Sequence, residues 1–178
     1  MANFDIAVNK TLEVEGVFSH DKDDLGGPTK YGITEAVARA CGYAGEMKAM
    51  PLDTAKEIYR NKYWNTLGLQ HFPDSAQAVA NELFDTAVNM GVGKACAFLQ
   101  SALNLLNKKA TLWADIPVDG QMGPTTLDTV LKCLGQDARY RDALYKALNG
   151  EQYARYKEIT AARPDNETFF LGWILRRL

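Results

Sequence analysis

The sequence predicts a mainly α fold of about eight helices, with one small β-hairpin placed after the first of them. Apolar residues recur at three- and four-residue steps along most of the chain, as in Phe4, Val8 and Leu12, and again in Ala76, Val79, Ala80, Leu83, Ala87 and Met90. Glycines follow these stripes as stop signals at Gly16, Gly42 and Gly91. Only the stretch from Glu15 to Thr34 breaks the helical period. It has strand-like pieces at Phe18 and from Tyr31 to Ile33, separated by the turn formers Asp21, Asp23, Asp24, Gly26, Gly27 and Pro28.

Taken in order, the first helix carries an apolar stripe that runs directly into Glu15, so this carboxylate is expected at the helix C-terminal end, facing inward. The negative end of the helix dipole and partial burial both disfavour its charged form, which suits a general acid at neutral pH. Thr34 is a good N-cap for a short helix from Glu35 to Cys41. The next helix follows Pro51 and Asp53, with Ala55, Ile58, Tyr59 and Tyr63 on one face and Trp64 near its end. A third begins at Asp74 or Ser75 and stops at Gly91; its length and strong period mark it as the central core helix. Gly91 to Gly93 breaks the chain, and another amphipathic helix is expected from Phe98 to Leu106. Asn107 to Gly123 reads as a long loop, followed by helices over Thr125 to Leu134, Asp137 to Leu148, Glu151 to Ala162 and Thr168 to Leu178.

Composition excludes several function classes. With 178 residues, 47% of them apolar and 24% charged, the chain suits a soluble globular protein. A net charge of −2 gives no electrostatic case for nucleic acid or an anionic membrane, although Arg139, Arg141, Arg155, Arg163, Arg176 and Arg177 make the C-terminal end the more cationic one. No apolar run is long enough for a membrane span, and the N-terminal stretch lacks the pattern of a secretory signal. The protein is therefore expected to be cytoplasmic on synthesis. Cys41, Cys96 and Cys133 lie far apart with no metal or redox spacing, and read as small buried hydrophobes. Neither they nor His20 and His71 suggest a metal site, and no cofactor is expected.

Several motifs fall in a specific order. Glu15-Gly16, Asp21-x-x-Asp24-x-Gly26-Gly27-x-Thr29 and Tyr31-Gly32-Ile33-Thr34 come first. Ile58-Tyr59-x-x-x-Tyr63-Trp64, Phe84-Asp85-x-Ala87-Val88-Asn89-x-Gly91 and Leu99-Gln100 follow. Together they resemble glycoside hydrolase family 108, bacterial and phage muramidases related to endolysins and secretion activators. Asp119-Gly120-x-x-Gly123-Pro124-x-Thr126 and Gly172-Trp173-x-x-Arg176 resemble the helical peptidoglycan-associated region that usually completes such proteins. The resemblance spans nearly the whole chain and implies a lysozyme-like catalytic lobe over residues 1–92 and a peptidoglycan-associated region over 93–178, packed into one globule. Where the family has a second Gly and then Tyr after Glu-Gly, this chain has Val17 and Phe18; it has Lys22 and Leu25 where the family has prolines. A second likeness is to lysozymes of the T-even phage type, in which a helix-terminal Glu is followed nine residues later by an Asp, as Glu15 is by Asp24 here; Thr29 stands one residue early in that comparison.

What the resemblance implies is an N-acetylmuramidase cleaving the β-1,4 bond between N-acetylmuramic acid and N-acetylglucosamine, with Glu15 as catalytic acid. Glycosidic cleavage commonly needs a second carboxylate, and Asp24 is either that group or the cap of a turn. Thr29 or Thr34 would position a water, Thr34 equally serving as N-cap. Tyr31, Tyr63 and Trp64 offer rings for sugar faces or for the core. Asp85 and Asn89 lie one helical turn apart, and either line the cleft opposite Glu15 or form a polar network that locks the hairpin onto the helix. Trp173 reads as core; Arg176 pairs with a carboxylate or contacts a glycan stem peptide. The partners expected are peptidoglycan strands, reached through a holin lesion or a release pathway, so that a monomer acts in the periplasm or cell wall. The rival readings are a catalytically silent peptidoglycan-binding or secretion-accessory protein, and a chitinase-like hydrolase on the same scaffold.

Overall fold

The computed structural model describes residues 1–15, 18–19 and 28–177. Among these are eight α-helices and one small three-stranded antiparallel sheet. Helix α1 spans Phe4–Glu15; its start is capped by Asn3, whose Oδ1 accepts the Asp5 N–H at 2.8 Å. Phe4, Ala7, Val8 and Thr11 form its buried face. Three two-residue strands follow, β1 (Phe18–Ser19), β2 (Thr29–Lys30) and β3 (Ile33–Thr34), in the order β1-β2-β3. Between β2 and β3 the turn is Tyr31-Gly32, both with positive φ (53° and 74°), as a tight two-residue hairpin of type I′ requires. Tyr31 therefore sits in the turn and not in a strand.

Helix α2 (Glu35–Ala40) begins at Thr34, whose side chain accepts the Val37 N–H. Helix α3 (Leu52–Tyr59) runs on into a π turn, Arg60–Trp64, and this wider turn lets Tyr59, Tyr63 and Trp64 all lie buried. Helix α4 (Gln77–Met90) is the core: Val79, Ala80, Leu83, Phe84 and Ala87 are each at most 1% exposed. It packs against α1, α5 (Val92–Leu106) and α7 (Ala138–Ala162). The chain is completed by α6 (Pro124–Leu134), with proline at its first position, and α8 (Glu167–Arg177).

The structure differs from the sequence expectation at three further points. Helix α5 starts at Val92 and not at Phe98, because Gly93 lies in its first turn, where a glycine does little harm; the break is confined to Gly91, with φ of 87°. Helix α7 is one 25-residue helix and not two, since burial of Leu144, Leu148, Gln152 and Tyr156 carries it straight through Asn149-Gly150. Cys41 is exposed at the end of α2, while Cys96 and Cys133 are buried, with thiols pushed up by desolvation to about 12 and about 11.

The loop between α5 and α6 is stapled to α5 by a row of amides. Gln100, 1% exposed, donates to Asp119 Oδ1 (2.8 Å), the Gln121 carbonyl (3.1 Å) and Thr126 Oγ1 (3.1 Å), and accepts the Gly120 N–H (2.9 Å). Asn104 exchanges two bonds with the Ile116 backbone (2.8 and 2.9 Å), and Trp113 donates its indole N–H to the Leu103 carbonyl. A side chain at Gly120 would meet the Gly93 carbonyl at 2.8 Å, so the turn requires glycine there both for this contact and for its φ of 73°. The Leu99-Gln100 and Asp119-to-Thr126 motifs are thus two halves of one hydrogen-bonded unit. Gln100→Ala cuts four hydrogen bonds from α5 to the loop and the start of α6 and takes a partner from the buried Thr126 hydroxyl, and should destabilise the fold by about 2–4 kcal/mol. Calorimetry should show Tm falling by about 5–15 °C; a change within about 0.5 kcal/mol would mean that the loop is held by its apolar contacts alone.

Candidate functional site

The residues singled out from the sequence fall into two groups. The first is at the end of α1 and on the sheet. The α1 backbone ends at Glu15, as its stripe and Gly16 imply, and β1 follows at Phe18. Asp24 lies outside the described residues, and the description of Glu15 is confined to its backbone. Across the sheet, Thr29 stands opposite both Ser19 on β1 and Thr34 on β3. Directly opposed residues of antiparallel strands place their side chains on one face. Thr29 and Thr34 are therefore neighbours, Thr34 also capping α2. The Tyr31 turn is tied to α3, where Tyr59 donates its hydroxyl to the Tyr31 carbonyl at 2.8 Å; Lys30 sits over the Tyr31 ring. Tyr63 joins the core at 9% exposure, against Tyr59 and Phe84, and its phenol is pushed up first by burial and second by Cys41. Trp64, 2% exposed, is likewise a core residue.

The second group is on α4. Asn89 donates its amide to the Asp85 carbonyl (2.8 Å) and to Asp85 Oδ2 (3.1 Å), so the two do share a face. Gln152 on α7, fully buried, donates to the same Oδ2 (3.3 Å) and to Thr86 Oγ1 (3.1 Å). A polar network does form, but it joins α4 to α7 and not the hairpin to α4. Tyr59 links the two groups, its hydroxyl on the Tyr31 carbonyl and its ring 6.0 Å from Phe84, which is adjacent to Asp85.

Sequence reasoning missed the most perturbed carboxyl among the described residues, Glu82. It is 5% exposed, and Oε1 has no hydrogen-bond partner. Burial foremost, then the nearby Asp85 carboxylate, push its pKa up to about 8; Lys10, Asn149 and Thr86 oppose the shift without reversing it. Glu82 is thus a neutral acid at physiological pH, one turn along α4 from Thr86 and beside the Asp85–Gln152 bonds. At this burial it cannot touch a polymer, and its place is in the packing of α4 against α7. A helix expected to be the central core helix buries whatever it carries, and Glu82, between Ala80 and Leu83, is the position where that expectation exposes a conflict.

The linkage has a definite sign. Glu82 is raised from 4.5 to about 8 on folding, so the folded protein holds its proton more tightly than the unfolded chain does. Stability from this group is full below about pH 4.5, falls by up to about 1.4 kcal/mol per pH unit as pH rises to about 8, and is level above that. Glu82→Gln keeps the shape and removes the charge. It should therefore melt higher than the wild type at pH 8, with the gap shrinking as pH is lowered to 5. A gap independent of pH would show that Glu82 is not neutral in the folded protein.

The glycosyl hydrolase 108 model matches residues 4–91 and the model described as a predicted peptidoglycan domain matches residues 94–178. The solved structure of SagA from Brucella abortus is similar over 98% of this chain and 88% of its own, with a TM-score of 0.72 and 26% identity. No curated protein sequence matches the chain. The N-terminal half, from α1 and its terminal Glu15 through the sheet to the end of α4, belongs to the glycosyl hydrolase 108 family, and the helices that follow form a predicted peptidoglycan domain.

Proposed function

We propose that the protein is a peptidoglycan hydrolase of the N-acetylmuramidase type, cleaving the β-1,4 bond between N-acetylmuramic acid and N-acetylglucosamine. The observation that carries this reading is the position of Glu15 as the last residue of α1, directly before the small sheet, within the glycosyl hydrolase 108 segment. A carboxyl at a helix C-terminus faces the negative end of the dipole, which favours the protonated acid that must be delivered to the glycosidic oxygen. As the bond breaks, positive charge develops on the sugar, and a second group must stabilise it or activate water. Asp24 is our choice for that group, with the hydroxyls of Thr29 and Thr34 placing the water. Asp85 and Asn89, already engaged with one another, are the polar groups of α4 assigned to the cleft wall. The chain would reach the wall as a monomer, through a membrane lesion or a dedicated release route, and act there on glycan strands gripped in part by the C-terminal domain.

The test is mass spectrometry of fragments released from purified peptidoglycan by the wild type and by Glu15→Gln. Reducing N-acetylmuramic acid ends from the wild type, with a loss of about a hundredfold or more in the variant, are expected. Equal activity in both would sink the Glu15 assignment and move attention to Asp24 and Asp85. Wall binding without products from either would favour a silent binding protein, and release from chitin oligomers in preference to peptidoglycan would favour a chitinase-like enzyme.

A further inference from the structure

A cleft of about 590 Å³ opens where the end of α4 meets the C-terminal turns of α7 and the middle of α8. Its volume is that of a small-ligand site, well short of a groove for several disaccharides. Asn89 forms one edge, continuous with the candidate site on α4; Arg155, Tyr156 and Arg163 come from α7 and its C-terminal cap, Asn166 from the connection, and Trp173 from α8. Tyr156 and Trp173 stack at 5.0 Å and give an apolar wall.

The charge of this cleft runs against that of the chain. The protein as a whole is at −2, yet the cleft presents two guanidinium groups and a single carboxylate, Glu158, which pairs with Arg155 at 3.0 Å. Arg163 is exposed, anchored through its backbone N–H to the Ile159 and Thr160 carbonyls (3.1 Å each), and its side chain has no ion-pair partner among the described residues. Arginine presents five N–H donors in a planar fork matched to a carboxylate, so Arg155 also keeps donors beyond its single contact with Glu158. Asn89 spends its amide hydrogens on Asp85, which leaves its carbonyl as an acceptor for an N–H. Carboxylate donors, a peptide N–H acceptor and an aromatic wall together describe a ligand that is a short acidic peptide. The glycan strand does not fit this description. Its N-acetylated sugars are uncharged, and the lactyl carboxyl of muramic acid is consumed in the amide bond to the peptide.

We propose that this cleft binds the carboxylate-bearing stem peptide of peptidoglycan, with Arg163 and Arg155 paired to its carboxylates and the Tyr156–Trp173 wall against its aliphatic part. The inference rests on the peptidoglycan reading above, and adds to it a second site at which the peptide arm is held while the glycan is cut. Helix α4 supplies both ends of the arrangement, since Asn89 borders the cleft and Asp85 lies one turn away.

The experiment is a calorimetric titration of the full chain with four probes: a synthetic stem tetrapeptide with free carboxylates, the same peptide with its carboxylates amidated, an unrelated acidic peptide of matched charge, and a peptide-free N-acetylglucosamine oligomer. The wild type should bind the free-carboxylate peptide saturably, Arg163→Gln should weaken it about tenfold or more, and Arg139→Gln, equally cationic but outside the cleft, should change it less than twofold. Equal binding of the amidated peptide, an equal loss in Arg139→Gln, displacement of the peptide by the sugar oligomer, equal binding of an unrelated acidic peptide of matched charge, or no saturable binding would each overturn the assignment. Thermal melts should show that Arg163→Gln remains folded, since the side chain it replaces is exposed. The readout is independent of cleavage: a protein that cuts peptidoglycan but ignores the peptide fails this inference alone, and one that binds the peptide without cutting fails the muramidase reading alone.

Discussion

The structure depends on the burial of α4, and within α4 on Phe84. This ring, fully buried, lies 6.0–6.4 Å from the rings of Phe4, Tyr59, Tyr63 and Trp64. One side chain therefore joins α1, α3 with its π turn, and α4, mostly through edge-on contacts that favour aromatic pairs beyond their buried area. Arg60 closes the outside of the cluster with its guanidinium 4.0 Å from the Phe4 ring. Because the hairpin turn hangs from the Tyr59 hydroxyl, the position of the sheet relative to the end of α1 is set by the same cluster. The candidate catalytic end of α1 is thus located by aromatic packing several residues away from it.

Helix α4 has a second face of different chemistry. Glu82, Asp85, Thr86 and Asn89 make it polar where it meets α7, and Gln152 answers from that helix. Buried polar contacts add less net stability than apolar ones of the same size, but they penalise every alternative register, since a shift strands a buried donor or acceptor. A neutral Glu82 makes this arrangement tolerable near neutral pH. Its ionised form would be a buried charge beside the Asp85 carboxylate.

Features governed by nearby residues were legible in the sequence. The α1 stripe ending at Glu15, the N-cap at Thr34, the glycine stop of α4 at Gly91 and the proline start of α6 each depend on signals within a few positions. Features governed by distant partners were not. Gly150 carries the penalty of about 1 kcal/mol for glycine inside a helix, and α7 continues through it because the residues on either side are buried against α4 and α5. The roles of Glu82 and Gln100 depend on Gln152 and on Asp119 to Thr126, which no periodic pattern connects to them. Of the candidate site, the contact of Asp85 with Asn89 follows from local spacing; the pairing of Thr29 with Thr34 depends on Tyr31 taking a left-handed turn conformation, and the cleft at Arg163 follows only once α4, α7 and α8 are brought together.

The junction between the two matched segments explains why they form one body. Only Gly91 separates α4 from α5, and one hydrophobic cluster runs continuously from Ala2 to Leu148. Helices α5 and α7 cover the parts of α4 that α1 and the α3 region leave open, so α4 is buried from both sides by residues of both segments. Had the second segment been a tethered binding module, its grip on a ligand would raise only the local concentration of the first. With α4 as a shared wall, a ligand held beside Asn89 is instead held at a fixed offset from the helix that positions the hairpin and the end of α1. A rigid offset selects one placement of the substrate among many, and it is placement, rather than affinity, that brings an acid within hydrogen-bonding reach of a glycosidic oxygen.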